Sequence, residues 1–287
     1  MNDWHPEIEP DPVRITAAGW VRALLRALAL FVLNLGGLAL LLLVRLAERP
    51  IWGQKRPLTP AITRFVCRMS LRLLGIGYRV TGRPMRHLGA VVANHSSWLD
   101  IYALNACQDI YFVSKAEVAR WPFIGWLARA TGTVFIERDR RRARVQQAEF
   151  EARLRAGHRL LFFPEGTSTD GQRVLAFKST LFEAFYTHGL EHVMQIQPVT
   201  VTYHAPPGAD VRFYGWWGSM SLAPHLIQTL AAARQGRIEI TFHAPVSVDA
   251  FASRKELARH CEDEVRGGHQ AARAGAAAAG YGLSPFP

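Results

Sequence analysis

The sequence predicts an α/β fold: a mixed central sheet flanked by helices, entered through an N-terminal hydrophobic and amphipathic helical segment. Three observations lead there. From about Tyr78 onward, short apolar runs of strand length alternate with stretches of helical periodicity, the pattern of a sheet with helices on its faces. Ahead of them, Ala27 to Val44 is a run of eighteen residues with no charge and one polar side chain, Asn34. The chain has 287 residues, 49% of them apolar, enough for one large core plus an attachment.

Taken in order, residues 1–16 are polar, contain proline and read as irregular. As a helix, Ala27–Val44 would be roughly 27 Å long, just enough for a hydrocarbon core. It reads as a membrane anchor, spanning or half-inserted. A cleaved signal peptide lacks its small-x-small site, and a buried core helix is the remaining alternative. Arg45, Arg49, Lys55 and Arg56 follow the run, against Arg14, Arg22 and Arg26 before it; this balance places the following domain on the cytoplasmic face of the membrane. Arg49-Pro50 and Pro57 mark a linker. A second helix starts at Thr59-Pro60, with Thr59 as cap, and stops at Gly75. Phe65, Met69 and Leu73 share one face, and Arg64, Arg68 and Arg72 repeat beside them. That pattern suits either a basic helix lying in a membrane interface or an ordinary surface helix.

Strands are expected at Ala90–Ala93, Ile110–Val113, Thr133–Ile136, Arg159–Phe163, Gln195–Tyr203, Val211–Tyr214 and Arg237–Phe242. A helix from Asp139 to Gly157 should turn Val145, Ala148 and Ala152 inward. From Gly267 the chain is rich in Ala and Gly and reads as a disordered tail. The expected organisation is therefore residues 1–58 as tail and hydrophobic helix, 59–265 as the main domain, and 266–287 as the tail, with no internal repeat.

The formal net charge is +11, carried almost wholly by arginine; Lys55, Lys115, Lys178 and Lys255 are the lysines. Such a balance points to an acidic partner: nucleic acid, anionic lipid or an acidic carrier protein. The run Arg140-Arg-Arg142 with Arg144 has no interleaved aromatics to stack bases, which argues against nucleic acid. Cys67, Cys107 and Cys261 match no metal spacing and suggest a reducing compartment. G-x-S-x-G, H-E-x-x-H, a P-loop and a dinucleotide fingerprint are all missing, so no metal site and no bound cofactor are expected.

Three runs carry chemistry. Asn94-His-Ser-Ser-Trp-Leu-Asp100 follows a strand end, where sites form in α/β sheets. Inside one helix, residues five apart diverge by about 140°. With His95 in the loop, Ser96 or Ser97 as cap and Asp100 in the first turn, the imidazole instead folds back over the carboxylate. His95 then takes a proton from a hydroxyl while Asp100 fixes its tautomer; on spacing alone, both serve equally as a helix cap. Phe163-Pro-Glu-Gly-Thr-Ser168 is a second strand-end turn. There Glu165 can bond a polyol or amine, Gly166 lets the backbone turn closely, and Thr167 and Ser168 can hold an oxyanion; a plain turn reads the same way. In Gly132-Thr-Val-Phe-Ile-Glu-Arg138, Arg138 projects from a strand end toward a phosphate or carboxylate, or is a surface arginine.

Together these runs resemble the glycerolipid acyltransferase family typified by 1-acylglycerol-3-phosphate acyltransferases. Its N-H-x4-D motif matches Asn94–Asp100, its Gly-x-x-Phe-Ile-x-Arg run matches Gly132–Arg138, its F-P-E-G-T motif matches Phe163–Thr167, and its Pro-Val pair matches Pro198-Val199. Ser114-Lys-Ala-Glu117 and Trp121-Pro-Phe-Ile-Gly125 also agree, and the likeness covers about Thr81 to Val246. The resemblance implies direct transfer of an acyl chain from acyl carrier protein or coenzyme A to a lysolipid hydroxyl. It makes His95 the general base and Asp100 its orienter. Asn94, Lys115, Arg138, Glu165, Gly166, Thr167, Ser168 and Lys178 become the substrate-binding set, and membrane lipids and the acyl thioester are the partners. Similar proteins sit on the membrane by an N-terminal helical pair. One departure is informative. The family's third motif usually carries Arg where this chain has Ser168, removing a contact to acceptor phosphate that is worth on the order of 1.5–3 kcal/mol. The run Glu165 to Lys178 is similar to the lyso-ornithine lipid acyltransferase branch, whose acceptor head group has no phosphate; Arg173 or Lys178 can still offer a cation to lysophosphatidate. Two rival readings are a non-catalytic lipid-binding membrane protein and a hydrolase using Ser96 or Ser168 as nucleophile.

Overall fold

A computed structural model of the chain describes residues 14–136, 143–186, 192 and 194–278. The elements that position the site are helices α1 (Ala17–Trp52), α2 (Thr59–Leu74), α3 (Asp100–Cys107), α4 (Ile124–Thr131), α5 (Ala143–Arg155), α6 (Leu222–Ala231) and α7 (Arg254–Ala278). The strands are β1 (Gly77–Thr81), β2 (Gly89–Ala93), β3 (Tyr111–Lys115), β4 (Val134–Ile136), β5 (Leu160–Phe162), β6 (Gln195–His204), β7 (Arg237–Phe242) and β8 (Val246–Ser247). Among the described residues they form one sheet in the order β1-β7-β6-β2-β5-β3-β4, with β8 added on β6. The sheet is mixed, as expected: β6 is antiparallel to β7 and β8, and every other pairing is parallel.

β2 lies at the centre, with Val91 paired to Gln197 of β6 and Leu161 of β5. All five of its residues are buried, which is why this apolar run shows no polar alternation. The period of two then divides the core. Val91 and Ala93 face Leu71, Leu74, Leu99 and Leu104, while Ala90 and Val92 face Phe150, Leu154, Phe182, Phe185, Leu257 and Val265.

α1 is longer than the apolar run inside it, about 54 Å at 1.5 Å per residue. It is tied to the domain along its whole length. Near its start, Arg22 and Arg26 donate to the carbonyls of Leu230, Ala231 and Ala232, the unsatisfied acceptors at the end of α6. In the middle, Tyr102 of α3 donates to Asn34, and a Cβ on Gly37 would collide with Val66 of α2. At the far end, Glu48 is fully buried. Its carboxylate accepts from the backbone N–H of Leu58 (2.8 Å) and Thr59 (3.2 Å), from the Thr59 hydroxyl (2.9 Å) and from Arg45 (3.1 Å). The opposite face of α1 is open and apolar, with Leu24, Leu28, Phe31, Leu35, Leu42 and Leu46 exposed.

Several local expectations are corrected. The linker at Arg49-Pro50 is helical: Pro50 sits in the last turn of α1, where Arg45 closes the end by donating to Gly53 O and Lys55 O. Thr59 is the first residue of α2 and not its cap; Glu48 supplies that function from another helix. The face of α2 carrying Phe65 and Leu73 points outward, and the buried face is Cys67, Ser70, Leu71 and Leu74. Arg64 pairs with Asp109 and Arg68 bonds Ala106 O, so these arginines also fasten α2 to α3. In α5 the inward residues are Phe150 and Leu154, while Val145, Ala148 and Ala152 are exposed, because the larger pair buries more apolar area. The start expected at Asp139 lies outside the described residues. Val211–Tyr214 is a turn closed by Phe213 N to Asp210 O and Gly215 N to Arg212 O. The expected disordered tail is helical as far as Ala278: alanine favours helix, Gly268 lets α7 approach Thr200 and His243 closely, and His269 donates to Gly171 O.

Glu48→Ala removes four hydrogen bonds at a buried helix start. The substitution is expected to lower unfolding free energy by about 2 kcal/mol or more, read by denaturant titration.

Candidate active site

β2, β5 and β3 are neighbours and parallel, so the loops after them converge at one edge of the sheet, the usual place for a site in an open α/β sheet. The loop after β2 carries His95, and Asp100 opens α3. The carboxylate of Asp100 is fully buried and saturated with donors. Oδ2 accepts from His95 Nδ1 at 2.7 Å, Ser96 N at 2.9 Å and Ser97 N at 3.1 Å, and Oδ1 accepts from the Tyr203 hydroxyl of β6 at 2.5 Å. The serines give their backbone N–H groups to Asp100, Ser97 Oγ also accepts from Leu99 N at 3.3 Å, and the N-cap residue of α3, Leu99, has no side-chain cap of its own. The helix-cap and dyad readings merge: one carboxylate caps the turn and orients the imidazole. Because a carboxylate only accepts, Nδ1 carries the proton and Nε2 keeps its lone pair. The His95 side chain is 21% exposed, leaving Nε2 available as a base.

The backbone of this loop is held on every side. His95 N donates to Glu165 Oε1 at 2.8 Å, Thr169 N and Oγ1 both donate to His95 O, and Trp216 N donates to Ser96 O. The imidazole stacks on Phe163, with centroids 4.1 Å apart and planes 12° from parallel. Asn94 turns into the sheet, where its side chain bonds both Val201 O and Val201 N at 2.8 Å. Fully buried, it joins the β2 end to β6, so the role the structure gives it is to hold backbone.

Glu165 also differs from expectation. Its second oxygen accepts from Leu175 N at 2.9 Å, so the buried carboxyl clamps the second loop to the first instead of opening toward a head group. Burial pushes it up to about 8; the two backbone donors pull it down, the charge of Asp100 adds to the rise, and Arg266 opposes it. Gly166 follows with φ of 72°, and a Cβ there would meet Lys178 Nζ at 2.6 Å. Lys178 thus lies across the turn, with its N–H fixed to Pro164 O. Thr167 and Ser168 are half-buried on the same turn, and Lys115 ends β3, the strand beyond β5. Arg173 pairs with Asp170. Arg138 lies outside the described residues. Gly132 sits at the other end of the strands, where it ends α4 with φ of 89°. Among the described residues no group of three or more His, Cys, Asp and Glu is placed to hold a metal ion.

Tyr203, Phe163 as a stacking plate and the clamp by Glu165 were not apparent from spacing. Tyr203 lies 103 residues from Asp100, and an aromatic in a buried strand carries no sign of which carboxylate it will meet.

In Glu165→Gln the amide can accept from only one of the two backbone N–H groups and turns a donor against the other. Turnover should fall by roughly five- to a hundredfold, by an unpaired buried group costing about 1–3 kcal/mol. The wild-type carboxyl, near 8 folded against 4.5 ordinarily, keeps a proton that the unfolded chain releases. Its contribution to stability therefore falls as pH rises through that window and levels off above it. Denaturant titrations from about pH 5 to about pH 8 should show this slope in wild type and a shallower one in Glu165→Gln.

The geometry agrees with what comparison with known proteins finds. A family model described as acyltransferase matches residues 79–202. The chain is 63% identical over 261 residues to the lyso-ornithine lipid O-acyltransferase of Rhodobacter capsulatus, covering 91% of this chain and 95% of that one. It is 39% identical over 227 residues to the lyso-ornithine lipid O-acyltransferase of Brucella abortus, covering 75% and 82%. The crystal structure of the 1-acyl-sn-glycerophosphate acyltransferase from Thermotoga maritima aligns with a TM-score of 0.55 over 87% of this chain and 98% of that one, at 21% identity, and shares the fold. The chain belongs to the glycerolipid acyltransferase family, on its lyso-ornithine lipid O-acyltransferase branch, and is an acyltransferase.

Proposed function

We propose that this acyltransferase moves a fatty acyl chain from an acyl carrier protein or coenzyme A thioester to the free hydroxyl of lyso-ornithine lipid, giving ornithine lipid. The acceptor is carried by the identity to the Rhodobacter capsulatus enzyme over nearly the whole of both chains. The chemistry is carried by the bond from His95 Nδ1 to Asp100, which leaves Nε2 as a base. Nε2 takes the hydroxyl proton as the acceptor oxygen forms its bond to the thioester carbonyl carbon. The tetrahedral oxyanion then collapses, the C–S bond breaks, and the leaving sulfur takes the proton from the His95 imidazolium, departing as a thiol and restoring the neutral base. Asp100 stabilises the imidazolium between these steps. The acceptor supplies the nucleophile, so no protein side chain is acylated and no cofactor takes part. Ser168, Thr167, Gly166 and Lys178 form the head-group side, where Lys178 suits the carboxylate of an ornithine head. That same cation also favours a second reading, transfer to lysophosphatidate.

The protein is membrane-associated through its helical pair. The ties of α1 at Arg22–Arg26, Asn34 and Glu48 support a helix that lies in one leaflet beside the domain. A spanning helix would drag the polar domain edge into lipid. The arginine balance around α1 supports the cytoplasmic face.

His95→Ala should lower transfer by roughly 10²–10⁴ while vesicle binding persists; retained turnover overturns the mechanism, and an acyl-enzyme burst in wild type would favour the hydrolase reading. Lyso-ornithine lipid and lysophosphatidate, offered in turn with carrier-bound chains, separate the two acceptors. Leu28→Glu with Leu35→Glu on the open face of α1 should release the protein from vesicles without changing its melting temperature, read by flotation and calorimetry.

A further inference from the structure

An open pocket lies at the N-terminal ends of β3 and β5, the opposite strand ends from His95. It measures about 310 Å³, with Trp52, Lys55, Arg56, Tyr111, His158 and Arg159 among its walls. A recess of about 10 Å³ shares Arg56, Asp109 and Tyr111 with it and reaches Gln108. Gln108 is 3% exposed, and neither atom of its amide has a hydrogen-bond partner among the described residues.

The charges around this cavity do not cancel. Arg56 and Arg153 stand side by side: a Cβ on Gly132 would lie 2.9 Å from Arg56 Cζ and 3.1 Å from an Arg153 nitrogen. Both guanidinium groups lie over the Tyr111 ring, at 5.9 Å and 4.9 Å. Their acceptors are neutral: Ala130 O for Arg56, and Gly132 O with His158 Nδ1 for Arg153. Among the described residues no carboxylate pairs with Lys55, Arg56, Arg153 or Arg159. Of the nearby acids, Glu48 is engaged by Arg45 and Thr59 and Asp109 by Arg64, while the charge of Glu149 acts on Arg153 from the helix α5 they share. Burial lowers both guanidinium groups; repulsion from Arg45 and then Arg153 adds to this at Arg56, while at Arg153 Tyr111 and Glu149 oppose it and Arg45 adds to it, and burial with the charges of Arg153 and Arg56 pushes His158 down to about 4.

We infer that this cavity binds a phosphate group carried by the head of an anionic membrane phospholipid, at a site separate from the acyl-transfer centre. Forked guanidinium donors match phosphate oxygens, and the ammonium of Lys55 adds a further cation. The Gln108 amide at the recess supplies a donor to an oxygen that enters it. The volume admits a phosphate with its short polar head substituent. The lipid source follows from position. Trp52 ends α1 at the cavity wall and is 43% exposed beside exposed Ile51, so the mouth opens where the apolar face of α1 meets the polar domain, the level of lipid head groups. The inference rests on these residues alone and does not depend on which lysolipid is acylated.

The test is native mass spectrometry of the full chain released from detergent, with phosphatidylglycerol or phosphatidylcholine added. Wild type should retain phosphatidylglycerol in preference, and the double variant Lys55→Gln, Arg56→Gln should bind it at least tenfold more weakly. Arg83→Gln with Arg86→Gln, the same charge change on exposed residues elsewhere, should bind like wild type. Should the double variant misfold, Arg56→Lys alone should weaken retention and keep the wild-type melting temperature. Inorganic phosphate supplies the second arm. Displacement of the lipid by phosphate, with a rise in melting temperature over chloride of equal ionic strength, supports the site and makes free phosphate an alternative occupant. Equal retention of both lipids, or equal loss in the double variant and the exposed control, overturns the proposal.

Discussion

The buried carboxylate of Asp100 is the group on which the catalytic edge depends. A fully buried charge is tolerable only when its lone pairs are met, and here four donors converge on it, three from the loop after β2 and one from β6. Satisfying the charge therefore also sets the chemistry. The loop folds back because Ser96 and Ser97 must turn their N–H groups inward. That turn brings His95 Nδ1 to the same oxygen and leaves Nε2 outward. Stability of the turn and readiness of the base have one physical cause.

A second layer fixes the loop from outside. Glu165 reaches from the turn after β5 to His95 N, and Thr169 takes His95 O, so the two strand-end loops act as one body. Placement within a few tenths of an ångström matters for proton transfer, and it is reached here with buried polar groups that each hold backbone. Phe163 completes the setting by stacking on the imidazole. The residues nearest His95 and Asp100 thus mostly hold them, while Gly166, Thr167 and Ser168 are half-buried on the neighbouring turn with Lys178 across it.

At the other end of the molecule Glu48 does for the helical pair what Asp100 does for the site. It binds the start of α2 to the end of α1, so the two helices are held as a pair. The cationic cavity lies just below this junction. Membrane contact, helix pairing and anion recognition are therefore neighbours in space, at strand ends remote from the acyl-transfer centre.

The sequence by itself determined the mixed α/β class, the strands at the sheet centre, the apolar first helix and the meeting of His95 with Asp100. Each is written in local periodicity or in short motifs whose residues lie close along the chain. Strand ends such as Arg237 and Phe242, and the stop of α2 at Gly75, were legible for the same reason, since apolar period and glycine conformation act locally. Only the tertiary structure decided which donors share Asp100, that Glu165 and Asn94 hold backbone, that Phe150 and Leu154 form the inner face of α5, and that the Ala/Gly-rich segment is helix. Those outcomes come from partners up to a hundred or more residues away: Tyr203 for Asp100, Val201 for Asn94, Thr200 for Gly268. Hydrogen bonds and close packing at such separations are fixed by strand order, which no local pattern encodes.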